Sequence, residues 1–285
     1  MDTRQRRENF RAVLASGKCV YPASVFDPIS AKISEDLGYE VGMIGGSIVS
    51  ATVLGAPDLF VLTLSEFVEQ VRRTCRYGAL PIAVDADHGY GNALSVMRTV
   101  EELETTGVSA LTIEDTDLPQ RFGAAKAETL LPIEEGVGKM RAALAARRDP
   151  SLVIVGRTSA PGITGADDAI ARCRAYQEAG VDALFIKGVK NRDDLEKICG
   201  AVQLPIIMDS GAKDLKDRDH LGRTGVRIAL QGHAPYAAAI EAIYRTAKAL
   251  REGVPPEELK YLASGALMRQ ATRGDSYDAA MSRYL

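Results

Sequence analysis

One phrase recurs along this chain: an amphipathic helical stretch, a glycine, then a short run of branched aliphatic residues. Leu37-Gly38, Thr106-Gly107, Ala179-Gly180 and Thr224-Gly225 each read as a helix stop placed just before a new apolar run. The runs fall at 19–25, 40–45, 81–85, 109–114, 151–157, 182–186, 205–208 and 226–230. Pro81-Ile82-Ala83-Val84-Asp85 and Leu152-Val153-Ile154-Val155 are nearly continuous rather than alternating, as expected of strands covered on both faces. Most of the intervening segments carry a 3.6-residue apolar period. One is Leu64 to Arg76, with Thr63 or Ser65 as its cap and Glu66 in its first turn. Another is Asn92 to Thr106, and a further helix over residues 3–16 leads the chain. Strands that alternate with helices from end to end predict an α/β chain with a parallel sheet. Eight such units in 285 residues predict a closed (β/α)8 TIM barrel with extra helices at both ends. The rival, an open doubly wound sheet, is expected to bring a glycine-rich nucleotide loop, and neither GxGxxG after the first run nor GxxxxGK[ST] occurs. Residues 1–285 are read as a single barrel domain, with 256–285 a C-terminal helical extension that packs on the barrel or docks on a neighbouring subunit.

Composition supports that frame and narrows the partners. Hydrophobic residues make up 46 % of the chain, aromatics only 6 %, and Trp is absent, so the core must be aliphatic. A net charge of −3 gives no electrostatic case for nucleic acid or an anionic membrane. No apolar stretch approaches the roughly 20 residues needed to span a bilayer. Met1 to Arg11 is charged and lacks the apolar segment of a signal peptide. Cys19, Cys75, Cys173 and Cys199 are scattered, without a CxxC pair, and read as free thiols of a reducing compartment. The expected location is therefore the cytoplasm.

In a barrel the C-terminal strand ends form the active face. The second run ends in Gly45-Gly46-Ser47, the third in Asp85-Ala86-Asp87-His88-Gly89-Tyr90-Gly91, the fourth in Ile113-Glu114-Asp115, the fifth in Arg157-Thr158 and the eighth in Gln231-Gly232-His233. Alternation would place Asp85 and Asp87 on one side, with Glu114 on the next strand. Two like charges 4 Å apart cost about 4 kcal/mol at an effective dielectric near 20, so a cation among them is the simplest resolution. An all-oxygen set favours Mg²⁺ or Mn²⁺ over Zn²⁺. Asp85 is then a direct ligand, with Asp87 and Glu114 holding waters; the bland alternative is that these acids cap the following helices. Gly46 and Ser47 offer backbone N–H groups and a hydroxyl to a carboxylate. Arg157 fits a carboxylate or enolate, or else pairs with one of the acids. His233 could meet a substrate carboxylate or move a proton, whereas His88 is expected to be structural.

The run Asp85-Ala86-Asp87-His88-Gly89-Tyr90-Gly91-Asn92, followed by Val100-Glu101-Glu102-Leu103-Glu104 and Ile113-Glu114-Asp115, resembles the isocitrate lyase and phosphoenolpyruvate mutase superfamily. Ser24-Val25-Phe26-Asp27, Gly45-Gly46-Ser47, Ala56-Pro57-Asp58 and Gly156-Arg157-Thr158 fit it in the same order, so that the resemblance runs to about residue 250. It implies a barrel whose eighth helix is swapped between subunits, in a homo-oligomer that is a dimer of dimers. It implies Mg²⁺ (or Mn²⁺) on Asp85, with Asp58, Asp87 and Glu114 acting through waters. It also implies an α-keto acid whose carboxylate lies at Gly46 and Ser47 and whose enolate oxygen is stabilised by Arg157.

The departures select a branch. Leu118-Pro119-Gln120-Arg121-Phe122-Gly123-Ala124 stands where the lyases carry a loop with a catalytic Cys, and it has neither Cys nor His. Residues 116–131 lack the Asn of phosphoryl-transferring members, and Phe185-Ile186-Lys187-Gly188 lacks the Glu common after strand six. Gly232-His233-Ala234 and the Cys-free loop are most similar to the oxaloacetate decarboxylase branch. The expected activity is metal-dependent decarboxylation of an α-keto dicarboxylic acid, oxaloacetate, to pyruvate and CO2 through a Mg²⁺-stabilised enolate, with Arg157 and His233 as the catalytic side chains. The alternatives are a carbon–carbon lyase of the methylisocitrate or 2,3-dimethylmalate type, a phosphonopyruvate-type hydrolase, and a non-catalytic barrel that binds a keto acid.

Overall fold

All eight expected strands are present in the computed structural model, which describes residues 2–76, 78–120, 122–123, 128–209 and 212–285. In chain order the elements are α1 (Thr3–Ala15), β1 (Ala23–Ser24), α2 (Pro28–Asp36), β2 (Gly42–Ile44), α3 (Gly46–Val49), which runs on into a π-helical turn over Ser50–Leu54, α4 (Leu64–Cys75), β3 (Ile82–Asp85), α5 (Ala93–Glu104) and β4 (Ala110–Glu114). There follow α6 (Ile133–Ala146), β5 (Val153–Thr158), α7 (Ala160–Ile163), α8 (Ala166–Ala179), β6 (Ala183–Ile186), α9 (Arg192–Gly200), β7 (Ile206–Asp209), α10 (Arg218–Thr224) and β8 (Val226–Leu230). The last helices are α11 (Ala234–Arg251), α12 (Gly265–Ala271) and α13 (Gly274–Tyr284).

The strands pair in parallel in the order β1 to β8. The ring closes through a single bridge between Val20 and Ile228: the Val20 N–H donates to the Arg227 carbonyl at 2.9 Å, and the Ala229 N–H donates to the Val20 carbonyl at 3.0 Å. The first strand is much shorter than its apolar run because only Ala23 and Ser24 make ladder pairs, with Gly42 and Met43. The glycines that end the helical phrases adopt positive φ as the stop requires: 79° at Gly38, 88° at Gly107, 100° at Gly180 and 108° at Gly225. Thr63, not Ser65, caps α4. Its hydroxyl accepts from the Glu66 N–H while the Glu66 carboxylate accepts from the Thr63 N–H at 2.9 Å.

Two apolar layers result. The outer one lies between strands and helices and holds Ile44, Val84, Leu111, Ile113, Ile154, Leu184 and Met208. The inner one fills the barrel with Val41, Met43, Ala83, Ala110, Val153, Val155, Phe185, Ile207 and Ile228, and Phe10 and Leu14 of α1 join it. Helix α1 thus stoppers the N-terminal end, and its arginines fasten it there. Arg6 donates to the Cys75 carbonyl at 2.7 Å, Arg7 to the Val108 carbonyl at 2.9 Å and to Asp149 at 2.6 Å, and Arg11 to the Ser151 carbonyl at 2.8 Å and to Asp182 at 3.0 Å. With one end stoppered and the interior packed, the C-terminal strand ends are the face left for chemistry.

The chain divides into two compact units, Met1–Gly232 and His233–Leu285. In the second, α11 has no buried residue. Arg269 of α12 ties α13 through Asp275 and Asp278. No helix among the described residues is long and apolar enough to cross a membrane.

Candidate active site

The inner-layer alternation carries four polar side chains to the top of the barrel. Ala83, Ala110 and Val155 face inward, so Asp85, Thr112, Glu114 and Arg157 follow them two or four residues later on the same face. The register sets Asp85 opposite Thr112, Glu114 opposite Arg157, and Arg157 opposite Phe185. Arg157 is the hub. Its guanidinium pairs with the Asp85 carboxylate, lies with Nε 3.2 Å from Glu114 Oε2, and sits 5.1 Å from the centre of the Phe185 ring. Of the two readings of Arg157, the ion pair with the acids is therefore the arrangement the structure holds. Thr112 donates to Asp85 at 2.7 Å and Thr116 donates to Glu114 at 3.0 Å.

Asp87 reaches this group by a route that alternation did not foresee. β3 ends at Asp85, and Asp87 lies beyond it with φ of 48°, in the left-handed region. The chain turns back on itself there, so that the Asp87 N–H donates to Asp85 Oδ1 at 3.3 Å. Left-handed backbone at a non-glycine costs of order 1–3 kcal/mol and persists only where the surroundings over-determine it. The turn delivers the Asp87 carboxylate onto Gly46, where a Cβ would lie 2.5 Å from Asp87 Oδ2. Any larger residue at Gly46 would require that carboxylate to move. Gly46 and Ser47 open α3 behind Gly45, which offers no side-chain cap, so the amides at that end have no partner within the helix. Asp58 lies on the exposed segment between the π turn and α4, and shares a small pocket with Gly46, Asp87, His88 and Tyr90.

Electrostatics show what this rim lacks. Burial favours the protonated form of Asp85, but Arg157 and the Thr112 hydroxyl outweigh it and hold the carboxyl below its ordinary range. Burial, then Asp85 and Glu114, push Asp87 well above that range. Burial raises Glu114 despite Arg157, and burial together with Asp85 raises Asp58. Arg157 is held fully charged by Asp85, Glu114 and Asp87 against its own burial. One guanidinium thus serves a cluster of acids, and Lys187, just past β6, is the other cation that opposes the shifts at Asp58 and Glu114. The donor set is all oxygen and under-neutralised, which fits a hard divalent cation. Among the described residues no three His, Cys, Asp or Glu side chains stand close enough to enclose a metal.

A second tier braces the rim. Asp115, fully buried, accepts from Arg172 at 2.9 Å and from the Tyr176 hydroxyl, and Arg172 also donates to the Leu131 carbonyl at 2.8 Å. The Leu131 N–H returns to the Asp115 carbonyl at 2.8 Å, and Thr116 bridges Leu130, so both feet of the 116–131 segment are fixed. Its centre, with Arg121, Ala124 and Ala125, lies outside the described residues, as does Ser210 after β7. His88 was expected to be structural; it is buried and also lines the pocket with Asp58 and Asp87, and burial and then Lys139 depress its imidazole to about 4. His233 occupies the N-cap position of α11, in the second unit. Sequence reasoning set Asp115 at the end of the fourth run without giving it a role, and passed over Arg172, Thr112 and Lys139. The signal available for Thr112 was its place two residues before Glu114; Lys139 carried none, since a lone Lys in a helical pattern reads as solvated.

Residues 10–251 match the family model described as phosphoenolpyruvate phosphomutase. A protein of Rhodopseudomonas palustris (strain BisB18) named oxaloacetate decarboxylase is 57 % identical, over 96 % of this chain and 94 % of its own. One of the same name from Bradyrhizobium diazoefficiens is 55 % identical over the same shares. Among solved structures, a phosphonopyruvate hydrolase in complex with oxalate and Mg²⁺ is 29 % identical and superimposes with a TM-score of 0.84, over 100 % of this chain and 99 % of that one. A 2,3-dimethylmalate lyase at 24 % identity shares the fold, with a TM-score of 0.85 over 98 % of this chain and 95 % of that one. The chain belongs to the phosphoenolpyruvate phosphomutase family.

Proposed function

We propose that this protein is a metal-dependent oxaloacetate decarboxylase that yields pyruvate and CO2. The observation that carries the reading is the acid rim: Asp85, Asp87 and Glu114 gathered around one guanidinium, Arg157, at the strand ends. The name shared by relatives at 51–57 % identity supports the substrate.

Mg²⁺, or Mn²⁺ in its place, would be held by Asp85 with Asp58, Asp87 and Glu114 around it, and would supply a Lewis acid that favours negative charge on the substrate's keto oxygen. The amides at Gly46 and Ser47 receive the carboxylate next to the keto group. Arg157 faces the keto oxygen, where its fixed charge stabilises the electron pair left as the C3–C4 bond breaks and CO2 departs. Asp85 and Glu114 orient that guanidinium before substrate arrives, so little reorganisation is needed in the transition state. Lys187, whose charge is felt at Asp58 and Glu114, would attract the second carboxylate and favour a dicarboxylic over a monocarboxylic acid. A proton delivered to C3 then completes pyruvate. The chemistry requires no nucleophile, in keeping with a 116–131 segment without Cys or His.

The protein is read as a single cytoplasmic barrel domain in a dimer of dimers, with α11 shared between subunits. Ile240, Ile243 and Tyr244, all exposed on a helix with no buried residue, support that assembly. The deciding experiment is pyruvate release from oxaloacetate with Mg²⁺ and with EDTA, corrected for catalysis by free metal. Turnover above that background, abolished in Arg157→Ala, supports the reading. Background rates with Mg²⁺ and Mn²⁺ alike would overturn it.

A further inference from the structure

The left-handed turn at Asp87 is held by one hydrogen bond of its own and three from other elements. Four successive carbonyls of the turn each accept one. The Ala86 carbonyl takes the Gly89 N–H at 2.9 Å, the Asp87 carbonyl takes the Glu114 N–H at 2.9 Å, and the Gly89 carbonyl takes the Thr99 hydroxyl of α5 at 3.0 Å. The His88 carbonyl takes the ammonium of Lys139, on α6, at 2.8 Å.

Lys139 is an odd choice for a structural prop. It is 3 % exposed, and an ammonium taken out of water costs several kcal/mol that an apolar residue of similar volume would not. The charge has nearby counterparts in Glu135, Glu114, Asp115 and Asp117. Among the described residues, however, its hydrogen bond falls on the backbone next to Asp87. The imidazole on the same residue packs against Phe60 and Tyr90, with its Nδ1 unpartnered among the described residues, and the hydrogen bond that reaches this residue from α6 falls on its carbonyl. Thr99, also wholly buried, anchors the next carbonyl from the neighbouring helix.

We propose that Lys139 is a positioning residue for the cation site: by pinning the His88 carbonyl it keeps Asp87 in the left-handed turn that sets its carboxylate between Gly46 and Asp85. Thr99 is the weaker second pin. The inference rests on the metal-dependent reading above and extends it to two residues that touch neither metal nor substrate. Partners of this outer kind alter metal affinity by about 10–100-fold when removed.

The test uses the full-length protein and Mg²⁺ alone as the probe. Mg²⁺ affinity is measured by calorimetry for the wild type, Lys139→Met, Lys139→Arg and Thr99→Val, with the thermal midpoint and the kcat and KM for oxaloacetate alongside. Lys139→Met is expected to bind Mg²⁺ at least tenfold more weakly while keeping a cooperative thermal transition. Lys139→Arg, which restores a donor and a charge, is expected to recover most of that loss. Should Lys139→Met fail to fold, Thr99→Val carries the test, with an expected weakening of about threefold or more. Mg²⁺ affinity within twofold of wild type in Lys139→Met, or in Thr99→Val where that variant stands in, overturns the proposal, as does a loss that Lys139→Arg does not recover at all. A wild type that binds Mg²⁺ without decarboxylating oxaloacetate refutes the assigned reaction, and the affinities still judge Lys139. A wild type that binds no Mg²⁺ refutes both.

Discussion

Replacing Gly46 by Ala isolates the contact between α3 and the acid turn. Gly46 has no positive φ, so the backbone accepts alanine, and the only new object is a methyl group. That methyl would lie 2.5 Å from Asp87 Oδ2 and 2.9 Å from Oδ1, where ordinary contact begins at 3.4 Å. The carboxylate must retreat by about 1 Å, and its backbone, pinned at each carbonyl, gives little. A misplacement of about 1 Å in a catalytic constellation costs of order 10²-fold, or about 2.8 kcal/mol at about 1.4 kcal/mol per tenfold. The overpacking itself should lower stability by about 1–3 kcal/mol. The assay is kcat/KM for oxaloacetate at saturating Mg²⁺, paired with a thermal or denaturant transition to confirm folding. A double-mutant cycle fixes the cause: in an Asp87→Ala background, Gly46→Ala should cost almost nothing further, because the colliding atoms are gone. An unimpaired Gly46→Ala, or a full 10²-fold loss that persists in the Asp87→Ala background, would refute the reasoning.

Other outcomes follow from the same geometry. Arg157→Ala should abolish turnover and, in EDTA, lower stability by about 3 kcal/mol because Asp85 and Glu114 lose their counter-ion; Mg²⁺ should restore part of it in chemical denaturation. Mg²⁺ should raise the thermal midpoint in proportion to the logarithm of its concentration once above its Kd, and Asp85→Ala should remove that response. Lys187→Met should raise KM for oxaloacetate by about tenfold, the worth of one charge-assisted hydrogen bond, with a smaller effect on kcat measured in the same steady-state assay. Asp149, at the stoppered end, is held at about 2 by the Ser151 hydroxyl, helped by Arg7. A depressed carboxyl contributes stability that is complete above its unfolded pKa, near 4, and disappears as pH falls through about 2. The difference in thermal midpoint between wild type and Asp149→Asn should therefore be constant above about pH 5 and shrink toward zero between about pH 4 and 2.

The barrel was legible because its determinants are local. Runs such as Leu152–Val155 and stops such as Gly107 and Gly180 act within a few residues, and eight strands appeared where eight runs lay. Their inward phase also set Asp85, Glu114 and Arg157 on one rim, which alternation alone could foresee. Asp87 was placed near its true position for the wrong reason. Alternation ends with the strand, and what moves this carboxylate is a left-handed turn whose supports, Glu114, Lys139 and Thr99, come from three other elements. Such supports are invisible to periodicity: Lys139 and Arg172 sit in helical patterns where a charge reads as solvent-facing, yet they are 3 % and 7 % exposed. The arginines of α1 were hidden in the same way, because most of their partners are backbone carbonyls, which every sequence supplies, and the two carboxylates, Asp149 and Asp182, lie far along the chain.

Those arginines bear on the order of events in folding. Arg6 reaches a carbonyl 69 residues onward and Arg11 a carboxylate 171 residues onward. None of these acceptors is in place until the middle of the barrel has formed, and loops of that length are expensive to close early. Docking of α1 is therefore expected after the folding transition state. Contacts formed that late slow escape from the native state far more than they hasten arrival. The segment at the start of the chain thus acts as a latch on unfolding, and trimming its arginines should shorten the lifetime of the folded barrel while leaving its rate of formation almost untouched.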